Sequence, residues 1–171
     1  MPRLFFALWP PAPVRDKLER LARDVRHAGG GRVMRRENLH QTLVFVGNVA
    51  SQRIAEIELV AGRINAAAFT LEFGVTGYWR HNRIIWVAPR VTPEPLAQLV
   101  GSLEGELGQS GFEFDRRPYV AHVTLARDAR TPGLLPVAEF QWPVRNFVLM
   151  ESARGARGVE YRVVARWALT D

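Results

Sequence analysis

The hydrophobic positions of this chain fall twice into the same order of predicted elements. Leu4–Trp9 is an apolar run typical of a buried strand, and prolines follow it. Apolar residues then recur at helical spacing as far as the glycines at 29–31, which predict the end of a helix. A β-branched and aromatic stretch at 40–46 predicts the next strand.

The second copy of this pattern begins about 80 residues further along the chain. Ile84–Pro89 predicts a strand, the apolar stripe at 96–107 predicts a helix, and 122–127 predicts another strand. We therefore expect an internal duplication with repeat units of roughly 1–47 and 82–127.

The remaining apolar segments are expected to complete two lobes of one domain, 1–171. Phe69–Trp79 reads as a long strand, and Trp142–Met150 with Tyr161–Leu169 reads as a closing pair of strands. The predicted fold class is α+β, with two pseudo-symmetric lobes and a cleft between them. Each lobe is a mostly antiparallel sheet with helices on its outer face.

Composition and charge narrow the functional classes. The chain has no cysteine, which excludes disulfides, thiolate metal sites and a cysteine nucleophile, and fits a cytoplasmic protein. No apolar run approaches the roughly 20 residues of a membrane span, so we expect no membrane partner. The net charge of +6 comes almost entirely from arginine and favours a polyanionic partner such as nucleic acid.

Each repeat carries one His-x-Thr-Leu sequence in its third element: His40 with Thr42, and His122 with Thr124. Residues two apart on a strand share a face, so each histidine points the same way as its threonine. With pseudo-twofold packing of the lobes, both pairs converge on one cleft. A single His-x-Thr carries little information, but two in matching frames are hard to obtain by chance.

Two imidazoles and two hydroxyls suit phosphodiester cleavage. An unperturbed histidine pKa of about 6.5 allows one ring to accept a proton while the other donates one. Each such transfer contributes roughly 10²–10⁴ in rate. The threonine hydroxyls can donate hydrogen bonds to the non-bridging phosphate oxygens as charge develops there.

Four blocks of the sequence resemble the two-histidine (2H) phosphoesterase superfamily: Arg3–Leu8, Glu37–Gly47, His122–Arg127, and Glu151–Ser152 with Gly158–Tyr161. The resemblance is specifically to the RNA 2′,3′-cyclic phosphodiesterases, also called 2′-5′ RNA ligases of the LigT type. It spans almost the whole chain. Two positions depart mildly from the usual pattern, because Ala121 stands in place of proline and Val46 in place of leucine.

The resemblance implies that the chain opens RNA ends carrying a 2′,3′-cyclic phosphate and leaves a 2′-phosphomonoester, without metal or cofactor. It implies that His40 is the proton donor and His122 the proton acceptor, which the nearly symmetric motifs do not decide by themselves. It also implies reversible 2′-5′ ligation without ATP. Arg127 matches a phosphate-binding arginine of the family. On a regular strand Arg127 would face away from His122, so this role requires a strand end or a bulge.

Four further residues are candidates for RNA contacts. Tyr78 and Trp79 have the chemistry to stack a base, although strand aromatics are often core residues. Arg35 and Arg36 precede the first motif and are candidates for the RNA backbone, or are simply solvated. We interpret the other two histidines, His27 and His81, as surface residues.

Two alternative functions stay open from the sequence. The same catalytic residues would serve another 2H substrate, such as an ADP-ribose cyclic phosphate or a 2′-5′ oligonucleotide. A basic RNA-binding module, whose histidines only contact phosphate, would bind without turnover. We expect a monomer with no obligate protein partner.

Overall fold

The computed structural model of the protein describes residues 1–171 and has nine strands and three α-helices. The strands are β1 (Arg3–Leu8), β2 (Arg32–Val33), β3 (Gln41–Asn48), β4 (Phe69–Trp79), β5 (Ile84–Pro89), β6 (Val123–Arg127), β7 (Phe140–Val144), β8 (Asn146–Gly155) and β9 (Gly158–Ala168). The helices are α1 (Ala12–Gly29), α2 (Ile54–Gly62) and α3 (Glu94–Gln109). None of the three helices has the length and hydropathy of a transmembrane span.

The strands form two sheets in which every neighbouring pair is antiparallel. The first sheet has the order β3-β1-β8-β9, and the second has the order β2-β6-β5-β4-β7. In each sheet the first strand of a repeat lies beside the His-x-Thr strand of that repeat: β1 beside β3, and β5 beside β6. The predicted α+β class with two antiparallel sheets is confirmed.

The helices connect the two halves, because each repeat sends its helix towards the sheet of the other. Helix α1 packs against β2, β6 and β7, and α3 packs against β3 and α2. One cluster of 37 buried residues contains side chains from both sheets and all three helices. The two lobes therefore share a core, and their relative position is held by packing rather than by a linker.

Strand β1 shows why the cleft face of the first sheet is also apolar. Leu4, Phe6 and Leu8 point into the main core, whereas Phe5 and Ala7 point the other way, into a second cluster with Met150 of β8. Side chains alternate across a strand, so a strand that is apolar throughout must be covered on both faces. The second cluster forms the floor of the cleft below His40.

One predicted segment is wrong in its extent. Trp142–Met150 is not a single strand, because the chain leaves the second sheet after Val144 and enters the first sheet at Asn146. Strand β7 pairs with β4, and β8 pairs with β1 and β9. The sequence pattern does not reveal this change of sheet, because β7 and β8 each bury one face and together give one continuous apolar alternation. The sequence pattern also does not predict the two-residue strand β2, which pairs with β6.

Candidate active site

Both motif histidines lie at the same place in their repeat, one residue before the strand. His40 precedes β3 and His122 precedes β6. The Nδ1 atom of His40 lies 2.7 Å from the carbonyl oxygen of Asn38, and Nδ1 of His122 lies 2.8 Å from that of Val120. A carbonyl oxygen only accepts, so Nδ1 carries the hydrogen in each ring. In the neutral rings Nε2 is therefore the unprotonated nitrogen, available to exchange a proton.

Contacts between the two halves bring the motifs together. Tyr119, three residues before His122, donates its hydroxyl to the carbonyl oxygen of Thr42 at 3.2 Å. The side chain of Gln41 donates to the same Tyr119 hydroxyl at 3.1 Å. The segment that leads to His122 is thus fastened to the strand that follows His40.

The pKa of His40 is affected by the charges of His122 and Arg127, so both side chains lie near His40. Burial is the main cause that lowers the pKa of His40 to about 4, and the hydrogen bond to Asn38 opposes this. The charges of Arg127, His122 and Arg15 lower it further. Burial also lowers the pKa of His122, again with a contribution from Arg127. Both rings are accordingly neutral at pH 7 in the free protein.

The threonines are half-buried and lie beside the histidines. The Oγ1 atom of Thr42 is 3.1 Å from Nε2 of His40, so its hydroxyl can donate to the neutral ring. Thr124 lies opposite Trp86 in the neighbouring strand and has no corresponding bond to His122. The two hydroxyls thus share a position in the fold but differ in their present partners.

A bulge in β6 turns Arg127 towards the cleft. Ile85 lies opposite Ala126 and Trp86 lies opposite Thr124, so Leu125 is an extra residue in β6. Leu125 and Ala126 are both buried, and Arg127 emerges exposed on the face that carries His122 and Thr124. The structure therefore contains the bulge that the resemblance required. The Arg127 guanidinium has no ion pair or hydrogen bond within the protein.

The same bulge occurs in β3. Phe6 lies opposite Val44 and Ala7 lies opposite Thr42, so Leu43 is the extra residue. Phe45 then occupies the position in the first repeat that Arg127 occupies in the second. One repeat presents an aromatic ring to the cleft, and the other presents a cation.

Aromatic rings surround His40. Trp9 stacks on it with ring centroids 5.6 Å apart, Phe5 lies at 5.1 Å, and Tyr161 meets it edge-on at 5.0 Å. His122 has one such neighbour, Trp79, at 4.6 Å. These rings remove water from the histidines and supply flat apolar walls for a ligand.

Of the predicted RNA-contact residues, only Trp79 lies against a motif histidine. Tyr78 lies on the opposite face of β4, packs against the core, and donates its hydroxyl to the carbonyl of Ala129 at 3.2 Å. Trp79 also lies 5.3 Å from Trp86. The two tryptophans form a continuous aromatic wall next to His122.

The two arginines before the first motif are held by the protein itself. Arg36 pairs with Asp16 and Glu19 of α1. Arg35 donates to the carbonyl oxygen of Val159 at 2.6 Å and pairs with Glu37 at 3.2 Å. Neither guanidinium is free for a phosphate in the way that Arg127 is.

Arg15 belongs to the site although no sequence motif includes it. It is buried on α1 and donates to the carbonyls of Pro10 at 3.2 Å, of Leu39 at 3.0 Å, and of Arg36. Its guanidinium lies 5.0 Å from the ring of Trp9. Arg15 therefore fastens both chain segments that hold His40 and its stacking partner. The sequence feature that could have indicated Arg15 is an arginine among the apolar positions of the predicted helix.

Trp9 and Tyr161 are two further site residues that the His-x-Thr motifs do not reveal, although Tyr161 ends the fourth block of the family resemblance. The sequence pattern places Trp9 at the end of a buried strand and Tyr161 at the start of a closing strand. No pattern links either residue to His40, because they come from distant parts of the chain and meet only in the first sheet. The described residues bring no three His, Asp or Glu side chains together as a metal-binding group.

Comparison with known proteins identifies relatives of this chain. The chain is 35% identical to the RNA 2′,3′-cyclic phosphodiesterase of Escherichia coli K12 over 98% of its length and 97% of that protein. It is 28% identical to the enzyme of the same name from Thermus thermophilus, over 98% of this chain and 90% of that one.

Among solved structures, the fold matches E. coli LigT complexed with 3′-AMP with a TM-score of 0.90 and 36% identity, covering both chains fully. The apo form of the same protein matches with a TM-score of 0.90 over 99% of each chain. The family model for the LigT-like phosphoesterases matches this chain twice, at 8–86 and 87–161, so each match takes in one His-x-Thr motif. With both copies of the motif placed at one cleft, the chain belongs to the LigT-like phosphoesterase family.

Proposed function

We propose that this protein hydrolyses the 2′,3′-cyclic phosphate at the end of an RNA and leaves a 2′-phosphomonoester. The observation that supports this proposal most directly is the pair of histidines before β3 and β6. Each has its Nδ1 atom fixed by the carbonyl oxygen two residues earlier. This arrangement leaves the Nε2 atom of each histidine for proton transfer. The relatives named RNA 2′,3′-cyclic phosphodiesterase support the substrate class.

The reaction needs one base and one acid. The Nε2 atom of one histidine takes a proton from water, whose oxygen attacks phosphorus and displaces O3′. The other histidine gives its proton to O3′, so the products are a 3′-hydroxyl and a 2′-phosphate. The Thr42 and Thr124 hydroxyls donate to the non-bridging oxygens, and Arg127 offsets their charge.

The resemblance supports His40 as proton donor and His122 as proton acceptor. In the free protein, however, His40 has a pKa of about 4 and is neutral at pH 7. The phosphate must therefore raise this pKa when it binds. It can do so because its negative charge attracts a proton and neutralises Arg127, whose charge opposes protonation of both rings.

The same site supports 2′-5′ ligation, in which a different nucleophile opens the cyclic phosphate. An RNA 5′-hydroxyl in place of water, attacking a cyclic phosphate, would give a 2′-5′ linkage without ATP. The acid and base then do the same work on a different nucleophile. Trp79 and Trp86, beside His122, are positioned for the terminal base.

We also propose that residues 1–171 act as one domain, as a monomer and in the cytoplasm. One chain supplies both motifs, and a single buried cluster joins its halves, so a second copy is not needed to complete the site. The absence of cysteine suits a reducing compartment. Light scattering at assay concentration should give one chain per particle; a stable dimer would contradict this part.

The central experiment is turnover of a short RNA ending in 2′,3′-cyclic phosphate, with and without EDTA. We expect a product with a 2′-phosphate in both cases, because the proposed chemistry uses only side-chain proton transfers. Complete loss in EDTA, restored by zinc or magnesium, would contradict the mechanism. An ADP-ribose cyclic phosphate and a 2′-5′ oligonucleotide belong in the same assay. Faster turnover of either would correct the substrate.

The variant His40→Ala with His122→Ala is the matched control. It should still bind the RNA but should not turn it over. Turnover at the wild-type rate by this double variant would contradict the two-histidine mechanism. Binding by the wild-type protein without any turnover would instead support the non-catalytic RNA-binding module.

A further inference from the structure

The cleft face of the first sheet continues beyond the site just described. Arg3, Ser152 and Tyr161 lie directly opposite one another in β1, β8 and β9, so they share one face. Tyr161 contacts His40, which identifies this face as the one that lines the cleft. The next pair towards the hairpin tip, Arg154 opposite Val159, lies on the same face.

Together with Phe45, these residues form an open area that we call the distal surface. Its members are Arg3, Phe45, Ser152, Arg154 and Val159. It adjoins Tyr161 and ends at the turn between β8 and β9.

The charge of the distal surface is uncompensated. Neither Arg3 nor Arg154 pairs with a carboxylate. The two carboxylates of the hairpin, Glu151 and Glu160, lie on the other face of their strands, where Glu151 pairs with Arg162. The arrangement leaves a basic strip on the cleft side only.

This strip is continuous with the phosphate site. Burial raises the pKa of Tyr161, and the charges of Arg127 and Arg3 both oppose that rise. Tyr161 therefore lies within electrostatic reach of both arginines. A chain of phosphates leaving the cleft past Tyr161 would pass from one cation to the next.

The distal surface also has apolar components suited to a base. The Arg3 guanidinium lies over the Phe45 ring, 4.8 Å from its centroid. Val159 is 45% exposed. Its carbonyl oxygen accepts hydrogen bonds from Arg35 at 2.6 Å and from Asn38 at 2.9 Å, which fixes the hairpin beside the His40 loop. Cation, aromatic ring and apolar side chain are the components of single-strand binding sites.

We propose that the distal surface binds the nucleotide that precedes the cyclic end of a single-stranded RNA. Arg3 and Arg154 contact its phosphates, and Phe45 lies beside its base. The inference rests on the proposed function for the identity of the RNA end. It adds that the protein prefers an oligonucleotide over a mononucleotide and that this preference resides in the first sheet.

The test compares two substrates, a nucleoside 2′,3′-cyclic monophosphate and a tetranucleotide RNA with the same cyclic end. In the Arg3→Gln, Arg154→Gln double variant, kcat/KM for the tetranucleotide should fall about tenfold, and the loss should be at least about fivefold larger than for the mononucleotide. The dependence of log kcat/KM on log salt should become shallower by about 0.7 for each phosphate that the variant no longer neutralises.

Arg162→Gln is the matched control, because it removes one positive charge from the opposite face of the same hairpin. It should leave the preference for the tetranucleotide intact. Equal losses on both substrates, or a double variant that behaves like Arg162→Gln, would overturn the proposal. Thermal unfolding of each variant checks that the fold is retained.

Fluorescence anisotropy with a labelled tetranucleotide ending in a 3′-phosphate separates this inference from the proposed function. If the wild-type protein turned over neither cyclic phosphate, the proposed function would fail. Even then, the distal surface would be supported if the Arg3→Gln, Arg154→Gln double variant bound this RNA more weakly than both the wild-type protein and Arg162→Gln. Equal binding by all three proteins would overturn the inference.

Discussion

The His40 half of the cleft is enclosed by Trp9, Phe5 and Tyr161, whereas the His122 half has Trp79 as the neighbour of its ring. The backbone plan is the same on both sides: a histidine held by a carbonyl two residues earlier, then a threonine, then a bulge. The residue two positions after the bulge differs, since it is Phe45 on one side and Arg127 on the other.

The features common to both halves come from the duplication, whereas Phe45 and Arg127 are particular to one half each. The backbone arrangement that both halves share is sufficient to position the two histidines and the two threonine hydroxyls. One nearby cation can offset the charge of a phosphate, and the charge of Arg127 already contributes to the lowered pKa of both rings. A second arginine at position 45 would oppose the proton that one histidine must carry.

The largest expected effect comes from removing each histidine. His40→Ala and His122→Ala should each lower kcat by about 10²–10⁴-fold, because each removes one proton transfer. The pH profile of kcat should be bell-shaped in the wild-type protein. The His122 variant should lose the acid-side limb, which reports the base, and the His40 variant the alkaline-side limb, which reports the acid.

Swapped limbs would reverse the two roles and leave the mechanism in place. The apparent pKa values belong to the coupled pair, so only the limb that disappears identifies a role. Turnover like that of the wild-type protein in either variant would end the two-histidine interpretation.

The threonines should have the next largest effect. Thr42→Ala and Thr124→Ala should each slow kcat by about 10²–10³-fold if their hydroxyls bind the developing charge, with little change in the melting temperature. Only Thr42 bonds its histidine in the free protein, so only Thr42→Ala should also alter the pKa of that ring. The serine variants keep the hydroxyl and serve as controls. A folded alanine variant with full specific activity would make that threonine structural.

Arg127→Gln should raise KM and the inhibition constant for inorganic phosphate by about tenfold to a hundredfold, the range expected for a missing charged hydrogen bond of about 1.5–3 kcal/mol. Arg130→Gln, an equal charge change three residues later, is the control. Steady-state kinetics with phosphate as inhibitor measures both. An unchanged response to phosphate would remove Arg127 from the site.

The same variant tests how the two halves communicate. Because the Arg127 charge lowers the pKa of His40 and of His122, Arg127→Gln should raise both. Histidine NMR across a pH titration would show it, and Arg130→Gln should not reproduce it. An increase at one ring only would mean that Arg127 serves one half of the cleft.

The smallest expected effect is on stability. The unfolded chain protonates His40 near pH 6.5 and the folded chain only near pH 4. The stability that this neutral ring provides is therefore complete above about pH 6.5 and is lost progressively as the pH falls from there through about 4. His40→Gln should lose less stability than the wild-type protein between pH 7 and pH 4, as measured by urea unfolding. Parallel curves would show that His40 is not shielded as the structure indicates.

The repeated elements and both motifs could be predicted from the local sequence. Strands β4 and β5 have the predicted limits, Phe69–Trp79 and Ile84–Pro89, and α1 ends at the predicted glycines. These features depend on local periodicity and on residues that break it, which any short window contains. The His-x-Thr pairs could be found because the duplication repeated them in one frame.

How the halves fit together is settled by tertiary packing. The exchange of α1 and α3 between the sheets, the transfer of the chain at Arg145, and the enclosure of His40 by Trp9 and Tyr161 all depend on pairings between distant segments. The orientation of Arg127 depends on one extra residue in the pairing of β6 with β5. A shift of one residue moves a side chain to the other face of the sheet, and register is set by packing against the neighbouring strand.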